Sequence, residues 1–166
     1  MKTLKILFAL IIMLGIAATG LSQGKGKDKQ VVRPMKGTFY EQTVDPSNPA
    51  QVRSIFIGNV THMGRVTGTS IANMKDRTVI PPNIWTNITN SKIKIAANGD
   101  EIYSESACVT LVFNTPFDGT GTLYAVATTT GGTGRFEGCT GEVEVRGTFN
   151  LNTGIKEYTV EGWIKY

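Results

Sequence analysis

The sequence contains little cysteine, histidine or charge. Of its 166 residues, two are cysteines and one is a histidine; 18% are charged and 40% are hydrophobic. Two cysteines are too few for a disulfide-scaffold miniprotein or a multi-cysteine zinc module. Low charge together with a large apolar fraction excludes a disordered chain. The length is that of about one domain.

The longest apolar run lies at the N-terminus. Two lysines precede an uncharged stretch over 6–18, which is shorter than the roughly 20 residues that span a bilayer. Small residues follow, with Gly20 and Ser22 at the −3 and −1 positions that a signal peptidase reads. We predict a secretory signal peptide over 1–22, cleaved after Ser22 or alternatively after Gly20, with an uncleaved anchor as the other interpretation. The mature chain is expected to be exported, secreted or periplasmic, with no membrane span.

All of the excess positive charge lies in the first 33 residues. The formal net charge is +4, but residues 1–22 carry two lysines and no acid, and residues 23–33 carry four bases and one acid. Residues 34–166 are nearly neutral, so nothing there indicates a surface for nucleic acid. We predict that 23–33 is a flexible basic linker. A weak electrostatic tether to an anionic envelope surface is the alternative.

From residue 34 onward the hydrophobic pattern is that of β-strands. Short segments alternate apolar and polar residues and are separated by Gly, Asn-Gly or Pro, and no helical periodicity extends beyond about two turns. The alternation predicts eight strands, at 35–44, 52–60, 64–73, 91–97, 101–114, 121–130, 142–151 and 155–166.

Each predicted strand has an apolar and a polar face. In the fourth strand, Ile93 and Ile95 form the apolar face, and Lys92 and Lys94 form the polar one. In the fifth strand the predicted apolar face carries Tyr103, Ala107, Val109, Leu111 and Phe113.

The strands and their connections predict an all-β fold. Short connections favour an antiparallel meander, and eight strands with one apolar face each close most economically into an up-and-down, lipocalin-like barrel. A two-sheet sandwich is the alternative. Four glycines within strands favour the barrel, because closure requires bends: Gly58, Gly68, Gly147 and Gly162.

Three segments carry a family resemblance. They are THMGRVTG at 61–68, AANGDEIY at 96–103 and GGTGRFEGCTG at 131–141. Their order and spacing resemble those of secreted bacterial proteins with the barrel of plant allene oxide cyclases and dirigent proteins. The resemblance covers nearly all of 35–166 and implies a closed eight-stranded barrel with a central cavity.

The resemblance implies less about chemistry. The plant cyclases rearrange a fatty-acid epoxide, and dirigent proteins steer the coupling of phenolic radicals. The matching segments here are turns and strands, so no catalytic residue is carried over. Cys139 stands where the glycine-rich segment of the family usually has a small residue, a departure that indicates a disulfide rather than catalysis.

The two cysteines and the histidine have structural interpretations. Cys108 and Cys139 are predicted to form a disulfide, because the chain is exported to a compartment that permits one; two unpaired buried thiols are the alternative. His62 is interpreted as a hydrogen-bonded turn residue, since no metal-ligating partner is close in sequence. Residues 131–141 lack the Gly-Lys-Ser/Thr of a phosphate loop and are interpreted as a hairpin connection. No metal and no cofactor are predicted.

Candidate ligand-binding residues come from a loop and from the apolar faces. The longest predicted connection runs over 74–90, and long loops are often functional. Trp85 lies within it and is predicted either to cover the barrel mouth over a ligand or to fill the barrel end as core. The candidates on the strands are Tyr103, Phe113, Phe149 and Tyr158, with filling of the barrel by its own side chains as the alternative.

Three function hypotheses follow. We favour a non-catalytic barrel that binds a small apolar or aromatic molecule. The second hypothesis is an isomerase-like or cyclase-like enzyme acting on a lipid-derived or phenolic substrate, with Glu105 as the candidate catalytic acid or base. Glu105 is in phase with Tyr103 and Ala107, and a carboxylate on an apolar face has a raised pKa. The third is a structural or interaction barrel, including a homodimer.

Overall fold

The computed structural model describes residues 30–45, 47–48, 50–79 and 84–166, with side chains described at all of these positions except those within 75–87. The predicted signal peptide over 1–22 and most of the predicted linker lie outside the described residues. No helix in the described ranges is long and apolar enough to cross a membrane.

Eight antiparallel strands form a closed barrel in chain order, which confirms the predicted fold and excludes the sandwich. They are β1 (Val32–Asp45), β2 (Gln51–Val60), β3 (Gly64–Val79), β4 (Ile84–Ala96), β5 (Glu101–Phe113), β6 (Thr120–Gly132), β7 (Thr140–Asn150) and β8 (Ile155–Lys165). The barrel closes where β1 pairs with β8, from Val32 opposite Lys165 to Gln42 opposite Ile155.

Two predicted boundaries are wrong. The connection expected over 74–90 is mostly strand, because β3 continues to Val79 and β4 begins at Ile84. The backbones of β3 and β4 pair up to these strand ends across a register irregularity. The sequence there does not alternate apolar and polar residues, so the alternation did not predict these strand ends. At the other boundary, β1 begins at Val32, so the end of the predicted linker over 23–33 belongs to the barrel.

Glycines allow neighbouring strands to approach closely. A Cβ atom at Gly68 would overlap the carbonyl oxygen of Ile93 on β4 and the ring of Phe56. At Gly147, a Cβ atom would overlap the carbonyl oxygen of Glu157 on β8. Only glycine fits these positions without displacing the neighbouring backbone.

One end of the barrel, which we call the closed end, is filled by side chains. A short 3-10 helix over Gly134–Phe136 connects β6 to β7 and places the Phe136 ring, 0% exposed, into this end. The ring packs edge-on against Tyr166 with 5.1 Å between centroids. The glycine-rich segment therefore supplies a core residue as well as a hairpin connection.

His62 lies in the turn between β2 and β3 at the closed end. It has a positive φ of 69°, and its Nε2 lies 2.9 Å from the carbonyl oxygen of Pro34. This contact matches the predicted structural role of a hydrogen-bonded turn residue.

The orientation of β4 differs from the prediction. Lys92 and Lys94 point into the barrel, and Ile93 is exposed on the outside. Ser70, a small inward residue on β3, lies opposite Lys92. The inward face of β4 also carries the buried Ile88 and Ala96, so this strand places both apolar side chains and lysine stems inside the barrel.

Candidate functional site: the barrel interior

A cavity of about 140 Å³ lies inside the barrel. Its size is close to that of an engineered cavity of about 150 Å³ that binds benzene. One wall is apolar and is formed by β5, β6 and β7, through Val109, Leu111, Leu123, Ala125, Ala127, Val143, Val145 and Phe149. The other wall is polar and is formed by β1, β4, β8 and the first half of β5, through Glu41, Asn90, Lys92, Lys94, Ser104, Ser106, Lys156 and Tyr158.

Glu41 is the centre of a hydrogen-bonded ionic cluster on the polar wall. Its side chain is 1% exposed, and Lys92 Nζ lies 2.5 Å from Oε2 while Lys156 Nζ lies 2.7 Å from Oε1. The Tyr158 hydroxyl donates to Glu41 Oε2 at 3.0 Å and accepts a hydrogen bond from Lys92 at 2.7 Å. Lys156 also donates to Ser54 Oγ at 3.2 Å. Both carboxylate oxygens are thus satisfied, as a buried charge requires.

The cluster holds Glu41 ionised. Burial alone would raise the pKa of Glu41, but the ammonium groups of Lys92 and Lys156 outweigh burial and lower this pKa from 4.5 to about 2. Burial, reinforced by the Glu41 carboxylate, raises the pKa of Tyr158 well above its ordinary value, so its hydroxyl stays protonated. Two lysines against one carboxylate give this cluster a net charge of up to +1.

Lys94 lies deeper than this cluster and has a different environment. Its side chain is buried, and its Nζ donates to Ser104 Oγ at 2.6 Å. Within the described part of the chain it forms no ion pair. Burial, with a smaller contribution from Lys92, lowers the pKa of Lys94 from 10.5 to about 7, and the effect of Cys139 opposes this shift. A substantial fraction of this amine is therefore neutral near pH 7.

The cysteines are not bonded to each other. Cys108 is exposed on the outside of β5, while Cys139 is buried at the closed end. The predicted Cys108–Cys139 disulfide is therefore wrong. The Cys108 thiol faces solvent and the Cys139 thiol faces the core, so the two side chains do not meet. A register irregularity of β5 between Glu105 and Val109 leaves Ala107 facing outward beside Cys108.

Three of the predicted ligand-binding aromatics lie on the inside of the barrel. Phe149 and Tyr158 line the cavity. Phe113 is buried next to Phe149, with ring centroids 5.0 Å apart and rings nearly perpendicular. Two of these side chains can thus contact a ligand directly, and Phe113 supports one of them.

The other predicted site residues lie elsewhere. Tyr103 is on the outer face, where its hydroxyl donates to Glu101 Oε2 at 2.6 Å. Glu105 is exposed, so the prediction that it faces the interior is wrong. Both errors come from the irregularity in β5, which shifts the alternation between the two halves of this strand. The side chain of Trp85 lies outside the described residues.

Sequence reasoning missed the polar wall. Glu41 is in phase with Met35 and Phe39 on β1, and a carboxylate continuing an apolar face was a signal that could have found it. Lys92 and Lys94 gave no such signal, since the isoleucines between them made the opposite orientation more plausible from sequence.

Among the described residues, no group of three or more His, Cys, Asp or Glu side chains could hold a metal ion. No known protein family matches the chain, and no curated protein or solved structure matches it significantly.

Proposed function

We propose that the barrel binds a small, mainly apolar molecule, aromatic or aliphatic, that carries an oxygen group at one end. The observation that supports this proposal is the division of the cavity into an apolar wall and a cationic, hydrogen-bonding wall. The apolar body lies against Ala125, Val145 and Phe149. The oxygen group accepts hydrogen bonds from the polar wall. Such a combination of an apolar pocket with a few placed polar groups is typical of small-molecule sites.

The size and charge of the cavity narrow the ligand further. A volume near 140 Å³ corresponds to one ring or a short chain. The Glu41 cluster carries up to one net positive charge, which favours a ligand whose oxygen group is negative or strongly polarised.

Binding without catalysis is the better-supported activity. The enzyme hypothesis relied on Glu105, which is exposed. Glu41 is inside, but its pKa of about 2 keeps it ionised, which suits charge balance better than proton donation near neutral pH. Export of the chain stays a proposal based on the predicted signal peptide over 1–22. The relation to allene oxide cyclases and dirigent proteins stays a proposal based on the segments at 61–68, 96–103 and 131–141.

Fluorine NMR with two probes tests the proposal. The probes are para-trifluoromethylbenzyl alcohol, which has a ring and an oxygen group, and trifluoromethylbenzene, which lacks the oxygen. We expect saturable binding of the alcohol and several-fold weaker binding of the oxygen-free probe, because only the alcohol can hydrogen-bond to the polar wall. Failure of both probes to bind would overturn the proposal.

A pair of neighbouring variants locates the binding. Ala125→Phe places a ring into the cavity, since Ala125 is 4% exposed on the apolar wall, whereas Val126→Phe places the same ring outside, at a residue 39% exposed. We expect Ala125→Phe to lose alcohol binding and Val126→Phe to retain it. Circular dichroism checks folding, and Ala127→Leu provides a smaller obstruction if Ala125→Phe does not fold. Binding that survives inward obstruction in a folded variant would place the ligand outside the barrel.

A further inference from the structure

We propose that Lys94 is a nucleophilic amine that captures an aldehyde or ketone ligand as an imine inside the barrel. The inference rests on the proposed function, since the carbonyl compound must first enter the same cavity. It adds a substrate class and a covalent step to simple binding.

The position of Lys94 within the barrel is the first argument. The cavity extends toward partly exposed residues at the end opposite the closed end, namely Thr43, Val52, Met74 and Leu151. Lys94 lies two residues after Lys92 on β4, on the side nearer the closed end. Beyond Lys94, Ala96 and Ile102 are buried in the closed end. A molecule entering from the open side therefore has Lys94 at the bottom of its path.

The partners of the three lysines are the second argument. Lys92 and Lys156 are both bound to the Glu41 carboxylate. Among the residues that the structure describes, the one hydrogen-bond partner of Lys94 is the Ser104 hydroxyl. A lysine amine is a nucleophile only when it is neutral, and burial away from a carboxylate favours the neutral form. Burial also lowers the pKa of Lys92, but the Glu41 carboxylate opposes that shift. Among the described residues no carboxylate pairs with Lys94, so Lys94 is the better nucleophile of these two buried lysines.

Hydrogen bonding also orients the amine. One N–H of Lys94 is used by Ser104 Oγ at 2.6 Å, and the side chain lines the cavity. The ionisable groups that act on the amine are Lys92 on the same strand and Cys139 from the closed end. Lys92 favours the neutral amine, and burial, the largest effect, lowers the pKa of Lys94 to about 7.

The covalent step balances without an oxidant or reductant. The nitrogen lone pair attacks the carbonyl carbon, and a C–N bond forms as the carbonyl π bond breaks. The oxygen takes up a proton, the nitrogen loses one, and the resulting carbinolamine expels water. The product is an imine with a C=N bond to Nζ, and water is the by-product.

Reductive trapping tests the inference. The protein is incubated near pH 7 with para-trifluoromethylbenzaldehyde and sodium cyanoborohydride, and the adducts are located by peptide mass spectrometry. Lys36, an exposed lysine paired with Glu161, serves as the internal reference. We expect modification of Lys94 to be at least about tenfold faster than that of Lys36, because burial favours the neutral, nucleophilic form of Lys94 whereas Lys36 is paired with the Glu161 carboxylate. Equal rates, or an unmodified Lys94, would overturn the inference.

The alcohol probe separates this inference from the proposed function, because para-trifluoromethylbenzyl alcohol can bind the wild-type cavity but cannot form an imine. The Lys94→Met variant removes the amine and should lose the fast internal adduct. If the wild type binds the alcohol and Lys94 stays unmodified by the aldehyde, the imine is excluded and the binding function stands. If neither probe engages the barrel, both proposals fail. Fast labelling that persists in the variant, at Lys92 for example, would also refute the role of Lys94.

Discussion

Lys92 and Glu41 form an ion pair across the inside of the barrel, with 2.5 Å between Nζ and Oε2. Glu41 is on β1 and Lys92 is on β4, and these strands do not pair with each other. The contact therefore links two sides of the barrel through its interior. Lys156 on β8 pairs with the same carboxylate. Two lysines against one glutamate give this cluster on the polar wall a net charge of up to +1.

Glu41→Gln is expected to destabilise the fold. The substitution leaves the ammonium groups of Lys92 and Lys156 without their carboxylate, and breaking a buried pair in this way costs several kcal/mol. Because both lysines are partly exposed, we expect a loss of roughly 2 to 4 kcal/mol in the free energy of unfolding, measured by urea titration. Glu105→Gln, at an exposed position, is the matched control and should change stability little. If both substitutions lowered the free energy of unfolding equally, the ionic cluster around Glu41 would not stabilise the fold.

Acid should remove the contribution of Glu41. Its pKa is lowered from 4.5 to about 2 in the folded chain, so the stabilisation is complete above the unfolded value and is lost as the pH falls toward the folded one. The shift corresponds to roughly 3 kcal/mol. The stability difference between the wild type and Glu41→Gln should thus shrink by about this amount between about pH 5 and about pH 2. A difference that stays constant over this range would show that Glu41 is not ionised in the folded protein.

Lys94→Met is expected to stabilise the barrel. The folded pKa of Lys94 is about 7 against an ordinary 10.5, so at neutral pH folding disfavours a charge that the unfolded chain carries freely. We expect a gain of roughly 1 to 3 kcal/mol near pH 7, partly offset by the lost partner of Ser104. The gain should fade as the pH rises toward 10.5, where the unfolded amine also loses its proton. Lys36→Met, at an exposed position on β1, is the matched control and should change stability little near pH 7. A destabilised Lys94→Met would contradict this account.

Phe136→Ala should open the closed end. Phe136 is fully buried, and removal of a buried phenylalanine ring costs about 3 to 5 kcal/mol. Phe117→Ala removes the same ring from an exposed position and should cost less than about 1 kcal/mol. Thermal denaturation compares the two variants. Similar melting temperatures for both would show that the 3-10 helix contributes no essential packing.

The two thiols should differ in reactivity. Cys108 is exposed, whereas Cys139 is buried and burial raises its pKa. A thiol reagent should therefore modify one cysteine of the native protein rapidly and the second only after denaturation, without prior reduction. A mass two protons lower before reduction, with no thiol to titrate, would instead reveal a disulfide.

Much of the barrel could be predicted from alternation and turn residues. Over most of β7 and β8 every second residue is apolar or glycine, and Val143, Val145, Tyr158 and Val160 point inward as their pattern predicts; Lys156 near the start of β8 is the exception. Turn residues separate the strands, as Asn152-Thr153-Gly154 does between β7 and β8. A chain of eight such strands has few ways to remove its edges. Local pattern was sufficient here because each of these strands has one clearly apolar face.

The polar wall could not be predicted in the same way. Alternation along β4 shows that Lys92 and Ile93 face opposite sides, but not which side is inside. The irregularity in β5 similarly moved Tyr103 and Glu105 outward, and no local signal marks it.

The sequence by itself determined the strand count, most turn positions and the near-neutral charge of residues 34–166, because these depend on neighbouring residues and on composition. Only the tertiary structure decided that Glu41, Lys92, Lys94 and Lys156 share one cavity. Burying a lysine is favourable only when hydroxyl or carboxylate partners and small neighbours on other strands receive it. Those partners lie on strands up to 115 residues away in the chain, as between Glu41 and Lys156. Closure of the barrel brings them together.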